Sequence, residues 1–290
     1  MASIPPGLVW LASYPKSGNT WMRVLLANLL AGADTPRNIN DLSEDESLVG
    51  RWRFSDDTLV DPDLLDPCEL KPMRRAQCDF VAGHLASPFV CKTHDRFDPM
   101  VLGHRARRAL YLVRDPRDVA VSLAHHASMP LDRAIGQMMD ATSRSSGPLQ
   151  LRYPVGDWGG HVSGWATQDL VPTTVVRYED LHADAASSLT RIVAFLGGQA
   201  GAAEIGRAVA HSSLAELQRQ EASSGFQESL PGQRRFFRSG RIGEWREVMT
   251  AAQVEAIESR FAPVMERWGY DVSGQSHRSS RIEPPDTNVL

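Results

Sequence analysis

Cysteine is scarce in this sequence: Cys68, Cys78 and Cys91 are the only three in 290 residues. An odd number cannot all pair within one chain, and neither a C-x-x-C nor a Cys/His spacing suited to structural zinc occurs. This counts against a disulfide-stapled module and a zinc-built fold, so free thiols in a reducing cytoplasm are expected. Long apolar runs are missing too. Leu8 to Ser13 is far too short to cross a bilayer, and no basic segment precedes an apolar core at the N-terminus. Neither a membrane partner nor a secretory leader is therefore expected, and the expected location is cytoplasmic. Nor is there an excess of positive charge. Lys plus Arg number 31 against 35 Asp plus Glu, a net −4 with neutral His. That balance argues against nucleic acid as a partner and leaves room for one local basic pocket. What remains is ordinary globular composition, 42% hydrophobic and 23% charged, with no repeat and no linker between domains. One domain over residues 1–270 is expected, followed by a flexible tail over 271–290.

The apolar patterning predicts strands alternating with helices. Leu8 to Ser13 reads as a buried strand that stops at Tyr14-Pro15. Thr20 to Leu30 follows with apolar residues at helical spacing, ending at Gly32. Residues 34–78 are polar and Pro-rich, with acidic clusters at 44–46 and 56–57, and predict only short helices and loops. Phe80–Gly83 and Phe89–Lys92 read as short strands, or as strand and approach loop, and Arg108–Val113 and Thr173–Tyr178 as further strands. Helices are predicted from Pro116 to about His126, over Ala183–Leu196, and over Thr250–Trp268 with Pro263 as a candidate kink. Ala222–Gly232, rich in Ser and Gly, predicts a mobile loop. Strands separated by helices imply parallel crossovers, hence an α/β domain with a central parallel sheet flanked by helices.

The richest segment joins the first strand to the first helix: Ser13-Tyr14-Pro15-Lys16-Ser17-Gly18-Asn19-Thr20-Trp21. The first N–H groups of a helix lack internal partners and favour an anion. Gly18 lets backbone approach a ligand closely, Lys16 adds an ammonium, and Ser17 and Thr20 add hydroxyls. These are the parts of a phosphate cradle, or of a plain glycine turn with a solvated Lys, and not the standard G-x-x-x-x-G-K-[ST] loop, because Lys16 precedes Gly18 and Ser13 stands where the first Gly would be.

Tyr14-Pro15-Lys16-Ser17-Gly18-x-Thr20-Trp21 resembles the 5′-phosphosulfate loop of the sulfotransferases that use 3′-phosphoadenosine 5′-phosphosulfate (PAPS). Further pieces follow in the family's order. Arg114-Asp115-Pro116-Arg117-Asp118-Val119-Ala120-Val121-Ser122 resembles the 3′-phosphate site, which implies that Arg114 and Ser122 grip that phosphate. Phe236 to Trp245 resembles the R-x-G-x-x-G-[DE]-W segment that closes over the nucleotide. Five arginines against one acid between Arg234 and Arg246 make it a basic patch, and Arg238, Ser239 and Gly240 are the implied contacts. The family often has Lys where Ser239 stands. Lys92-Thr93-His94 matches the K-T-H of the soluble members, which implies His94 as base. His84 and the pair His125-His126 are the competing histidines, the pair reading as ordinary surface residues. Trp21 and Tyr178 match adenine contacts and Ser212 a polar nucleotide contact, while Leu214 falls where many relatives place an aromatic.

The resemblance spans about Leu8 to Tyr270 and implies a P-loop-NTPase-like nucleotide core. It also implies PAPS as co-substrate, PAP as product and no metal. Lys16, Ser17, Gly18, Asn19, Thr20 and Trp21 would hold the 5′ side. Lys16 would stabilise charge on the bridging oxygen, Lys92 would assist at the sulfuryl oxygens, and Ser122 would restrain Lys16. The acceptor is a small molecule with a hydroxyl, alcohol or phenol, whose identity the residues leave open, as they do the oligomeric state. Residues 34–78, 127–170 and 221–233 are expected to shape its pocket, with Trp52, Phe54, Tyr153, Trp158 and Trp165 among them. A small-molecule kinase is the alternative enzyme and would need the standard loop and a Mg²⁺-holding Asp. A non-catalytic nucleotide-binding protein would keep Arg114 and Arg238 without needing both Lys16 and His94.

Overall fold

The structure, a computed structural model, describes residues 2–42, 47–102, 105–145, 147, 149–230, 232–233 and 235–272. Four parallel strands, β1 (Gly7–Ser13), β2 (Pro88–Thr93), β3 (Arg108–Val113) and β4 (Thr173–Arg177), form one sheet in the order β2-β1-β3-β4. Among the described residues the helices are, in chain order, α1 (Asn19–Ala31), α2 (Arg51–Thr58), α3 (Pro67–Gly83), α4 (Pro99–Leu102), α5 (Pro116–His126), α6 (Leu131–Met139), α7 (Trp158–Thr167), α8 (Tyr178–Ala183), α9 (Ala185–Phe195), α10 (Ala202–His211), α11 (Leu214–Ser224), α12 (Trp245–Val248) and α13 (Ala251–Arg267). The expected single α/β domain is what forms.

Period-two alternation sorts the strand side chains to two buried faces. Leu8, Trp10 and Ala12 of β1 join Ala109, Tyr111 and Val113 of β3 in one core, against residues of α3, α5, α6, α7 and α13. Val9, Leu11, Leu110 and Leu112 face the other way, onto α1, α9 and α10. A third, smaller cluster joins Val24, Ile39, Leu42, Leu217, Phe226 and Phe237 beside the sheet. The register levels the strand ends: Ala12 lies opposite both Thr93 and Tyr111, and Val113 opposite Arg177. The next residues along the four strands are therefore delivered to one edge.

Local chemistry explains most boundaries. Asp115 caps α5 and Pro116 sits in its first turn, where a missing N–H costs nothing. Thr250 and Gln253 form a capping box on α13, which runs on through Pro263.

Three readings of the sequence need correction. Phe80–Gly83 is not a strand but the last turn of α3. A capping box of Asp66 and Glu69 starts that helix, and it buries Arg74, Gln77, Cys78 and Val81 at helical spacing. The stretch 34–78 accordingly holds most of a 17-residue helix as well as short ones. Ala222–Gly232 is not loop throughout, since α11 continues to Ser224 and Phe226 is buried. Of the expected tail, residues 273–290 lie outside the described residues, as do the acidic cluster at 44–46 and Arg234.

Candidate active site at the carboxyl ends of the strands

All four strands hand a side chain to one cleft of about 880 Å³. Past β1 comes the loop to α1, past β2 His94, past β3 Arg114, and past β4 Tyr178. In parallel α/β sheets this edge is where ligands bind.

The loop turns through two left-handed residues, Lys16 (φ 69°) and Gly18 (φ 102°). Gly18 is required by space as well as by angle, because a Cβ there would come within 2.7 Å of the Tyr178 ring. Arg114 donates to the Lys16 carbonyl at 3.3 Å and to the Arg241 carbonyl at 2.8 Å, and its guanidinium lies 4.4 Å from the Tyr178 ring centroid. It thus ties the first loop to the arginine-rich one. Ser17 Oγ and Arg114 Nε are buried with no hydrogen-bond partner, which is unfilled donor capacity beside the cradle. Asn19 braces the turn by donating to the Leu11 carbonyl at 3.0 Å.

His94 lines the cleft at the end of β2. Its Nδ1 is 2.8 Å from the Ser13 carbonyl oxygen. A carbonyl only accepts, so Nδ1 carries the proton and Nε2 keeps its lone pair. Burial, and next Lys92, push His94 down to about 3, so the ring is neutral at physiological pH. The Lys16 ammonium lies 4.4 Å over the Phe236 ring. Burial pushes it down to about 7; Lys92 and Arg114 push the same way and Glu228 opposes them.

Two charged groups that the sequence reading passed over complete this corner. Glu228 pairs with Lys92 at 3.2 Å and with Arg23. Arg23 is buried in α1, two residues past Trp21. The available signal for Glu228 was an acid standing close before the arginine cluster.

Across the cleft, Trp21 and Tyr178 meet edge to face at 5.7 Å. The Tyr178 hydroxyl donates to the Gly240 carbonyl at 2.9 Å. Arg238 grips Glu244 through two bonds of 2.5 Å, and Ser239 donates to the same carboxylate at 3.1 Å. The Asp118 carboxylate accepts the Gly243 and Trp245 N–H groups, anchoring this segment to α5.

The cleft wall thus gathers Lys16, Gly18, Asn19, Thr20, Trp21, Lys92, His94, Arg114, Ser122, Tyr178, Arg238, Ser239 and Gly240 from the sequence reading, and Leu214 with them. Ser17 and Ser212 lie behind the wall. The Ser212 hydroxyl accepts from Asn28 at 3.1 Å and its carbonyl accepts from the Trp21 indole at 2.9 Å, so it holds Trp21 in place. His125 and His126 are not mere surface residues, since both line the cleft, whereas His84 ends α3 exposed and outside it. Trp52, Phe54, Tyr153, Trp158 and Trp165 do not shape the cleft: Trp52 points to solvent and the other four are core.

Among the described residues, no group of three or more His, Cys, Asp or Glu gathers as a metal site would require, and no helix is long and apolar enough to cross a membrane.

Comparison with known proteins finds relatives of the whole fold. The mouse protein named Sulfotransferase 2B1 is 28% identical over 276 residues, covering 91% of this chain and 74% of that one. The human protein of that name is 26% identical over 278 residues, covering 89% of this chain and 66%, about two thirds, of that one. A solved structure of retinol dehydratase in complex with androsterone and inactive cofactor PAP has a TM-score of 0.58 at 21% identity, covering 94% of this chain and 83% of that one. At that identity the likeness establishes the fold. The family model described as Sulfotransferase domain matches residues 6–269, so the chain belongs to the sulfotransferase family.

Proposed function

We propose that this sulfotransferase uses PAPS as donor and a hydroxyl of a small-molecule alcohol or phenol as acceptor, with His94 as general base and Lys16 as the charge that steadies the leaving phosphate. The carrying observation is the Ser13 carbonyl at His94 Nδ1, which leaves Nε2 as a lone pair in the same cleft as two lysines. The donor fits the residues present. Arg114, in the cleft wall, has a buried Nε without a partner, and the helix start behind Gly18 favours an anion. The retinol dehydratase structure, which holds PAP with androsterone, supports the same donor and an apolar acceptor.

Bound PAPS supplies a sulfuryl group on a good leaving group. Sulfuryl transfer, like phosphoryl transfer, then asks mainly for positioning and charge stabilisation. Lys16, Thr20 and the helix start would hold the 5′ side, and Arg114, Ser122 and Arg238 the 3′-phosphate. His94 Nε2 takes the hydroxyl proton as the acceptor oxygen bonds to sulfur, and the bond from sulfur to the phosphate oxygen breaks. The Ser13 carbonyl, accepting from Nδ1, stabilises the imidazolium that forms.

The test is incubation with radiolabelled PAPS and a panel of phenols and alcohols, in the wild type, His94→Ala and Lys16→Ala. His94→Ala should lose about 10²–10⁴-fold in kcat yet bind PAPS normally, with partial relief from acidic acceptors. Lys16→Ala should lose both turnover and donor affinity, with no relief. Wild-type kcat in His94→Ala removes it as the base, with His125 and His126 as the next histidines in the cleft.

A further inference from the structure

The helix α7 takes no direct part in the chemistry, yet it grips the chain at the base. His161 and Trp165 are one turn apart on α7 and share a face. Both are fully buried. Their ring nitrogens meet consecutive backbone carbonyls just past β2: His161 Nε2 lies 3.2 Å from the His94 oxygen, and Trp165 Nε1 donates to the Asp95 oxygen at 2.8 Å.

The tautomer of His161 follows from its partners. A carbonyl cannot donate, so Nε2 carries the proton. Nδ1 then accepts from the Tyr111 hydroxyl of β3 at 2.8 Å. The same ring meets Tyr14, the first residue of the phosphate loop, edge to face at 5.5 Å. His94 in turn donates from Nδ1 to the Ser13 carbonyl. The contacts close a ring: Ser13 and Tyr14, then His161, then His94, and back to Ser13. Asp95 is fixed from its other side, its carboxylate held by Arg74 through bonds of 2.8 and 2.9 Å and by the Thr93 hydroxyl at 2.8 Å.

We propose that His161 and Trp165 are positioning residues for the base. By clamping carbonyls 94 and 95 they fix where the His94 imidazole stands relative to the phosphate loop, and so the line from acceptor oxygen to sulfur. The proposal rests on His94 being the base.

Three variants separate the clamp from plain stability. His161→Leu removes the donor, His161→Gln offers an amide N–H in its place, and Trp165→Phe keeps a ring without its N–H. The measurements are kcat per folded molecule across phenols of graded acidity, and Kd for PAP. His161→Leu should lose about 10- to 100-fold in kcat, since misplacing a reacting group by about 1 Å costs that much. The loss should deepen with weakly acidic phenols, which need the base most, while PAP affinity stays within about twofold. His161→Gln should recover most of the loss, and Trp165→Phe should move the same way. If His161→Leu yields no folded protein, Trp165→Phe is judged by the same criteria. Wild-type kcat and acidity dependence in these variants, with only a lowered thermal midpoint, overturn the proposal. His94→Ala is run beside them. Its loss of turnover with normal clamp variants sinks the clamp alone, whereas normal turnover in His94→Ala sinks the base reading and the clamp together.

Discussion

The protonation of Lys16 offers a direct reading of where donor charge arrives. In the free protein burial holds this ammonium down to about 7, with Lys92 and Arg114 pushing down and Glu228 pushing up. A phosphate set against it favours the charged form, so the complex holds the proton well above pH 7. Above pH 7 the free protein has lost the proton and the complex has not. Binding then takes up a proton, and affinity falls as pH rises. For a free value of 7 and a much higher bound value, Kd weakens about tenfold between pH 6 and pH 8, about 1.4 kcal/mol. At pH 8 the uptake should be about 0.9 proton. Phosphate groups titrate near pH 6 and add their own slope. The reference is therefore Lys16→Arg, whose guanidinium stays charged throughout. Calorimetry with PAP in buffers of different ionisation enthalpy gives the uptake, and the wild type minus Lys16→Arg isolates Lys16. Equal proton uptake in the two proteins, with parallel Kd profiles, would refute the reasoning.

Other expectations follow from single contacts. Gly18→Ala forces a methyl into the left-handed region, worth about 1–2 kcal/mol, and against Tyr178 at 2.7 Å. It should lower the thermal midpoint and weaken PAP by about tenfold or more, and unchanged PAP affinity would count against the cradle. PAP at a hundredfold excess over Kd should stabilise the wild type by about 2.7 kcal/mol, and Arg114→Ala should show a smaller shift at the same PAP concentration by scanning fluorimetry. Burial pushes His161 down to about 4 from 6.5. Between those values the unfolded chain binds the extra proton, so stability should fall as pH drops through that window, by at most about 1.4 kcal/mol per unit from this group. His161→Gln should flatten the fall in urea titrations, and an unaltered slope would show that the acid sensitivity arises elsewhere.

What the sequence made legible was local. The segment from Leu8 to Trp21 carries its strand, its turn and its helix start within fourteen residues, and the structure builds it so. The arginine-rich segment likewise announces itself by charge density. α3 was hidden because it buries Arg74 and Gln77 along with Cys78 and Val81, so its inner stripe does not look apolar. The pairing of Lys92 with Glu228 spans 136 residues of chain, and His161 reaches His94 across 67, which no spacing rule connects. Trp158 and Trp165 look like pocket aromatics in sequence because size and apolarity suit a cleft and a core equally; only packing against Phe261, Phe97 and Tyr111 settles which.

The levelled ends of the four strands have a consequence for how the cleft can change. Lys16, His94, Arg114 and Tyr178 stand directly on a sheet whose two faces are buried. Leu149 and Leu230 line the same cleft, are exposed, and come from connections outside the sheet. Substitution there should alter the outline of the cleft while leaving the strand register, and with it the spacing of those four residues, in place. A change at Leu149 or Leu230 is thus separable from the four strand-end side chains, but not from Arg238, Ser239 and Gly240, which stand in a connection themselves.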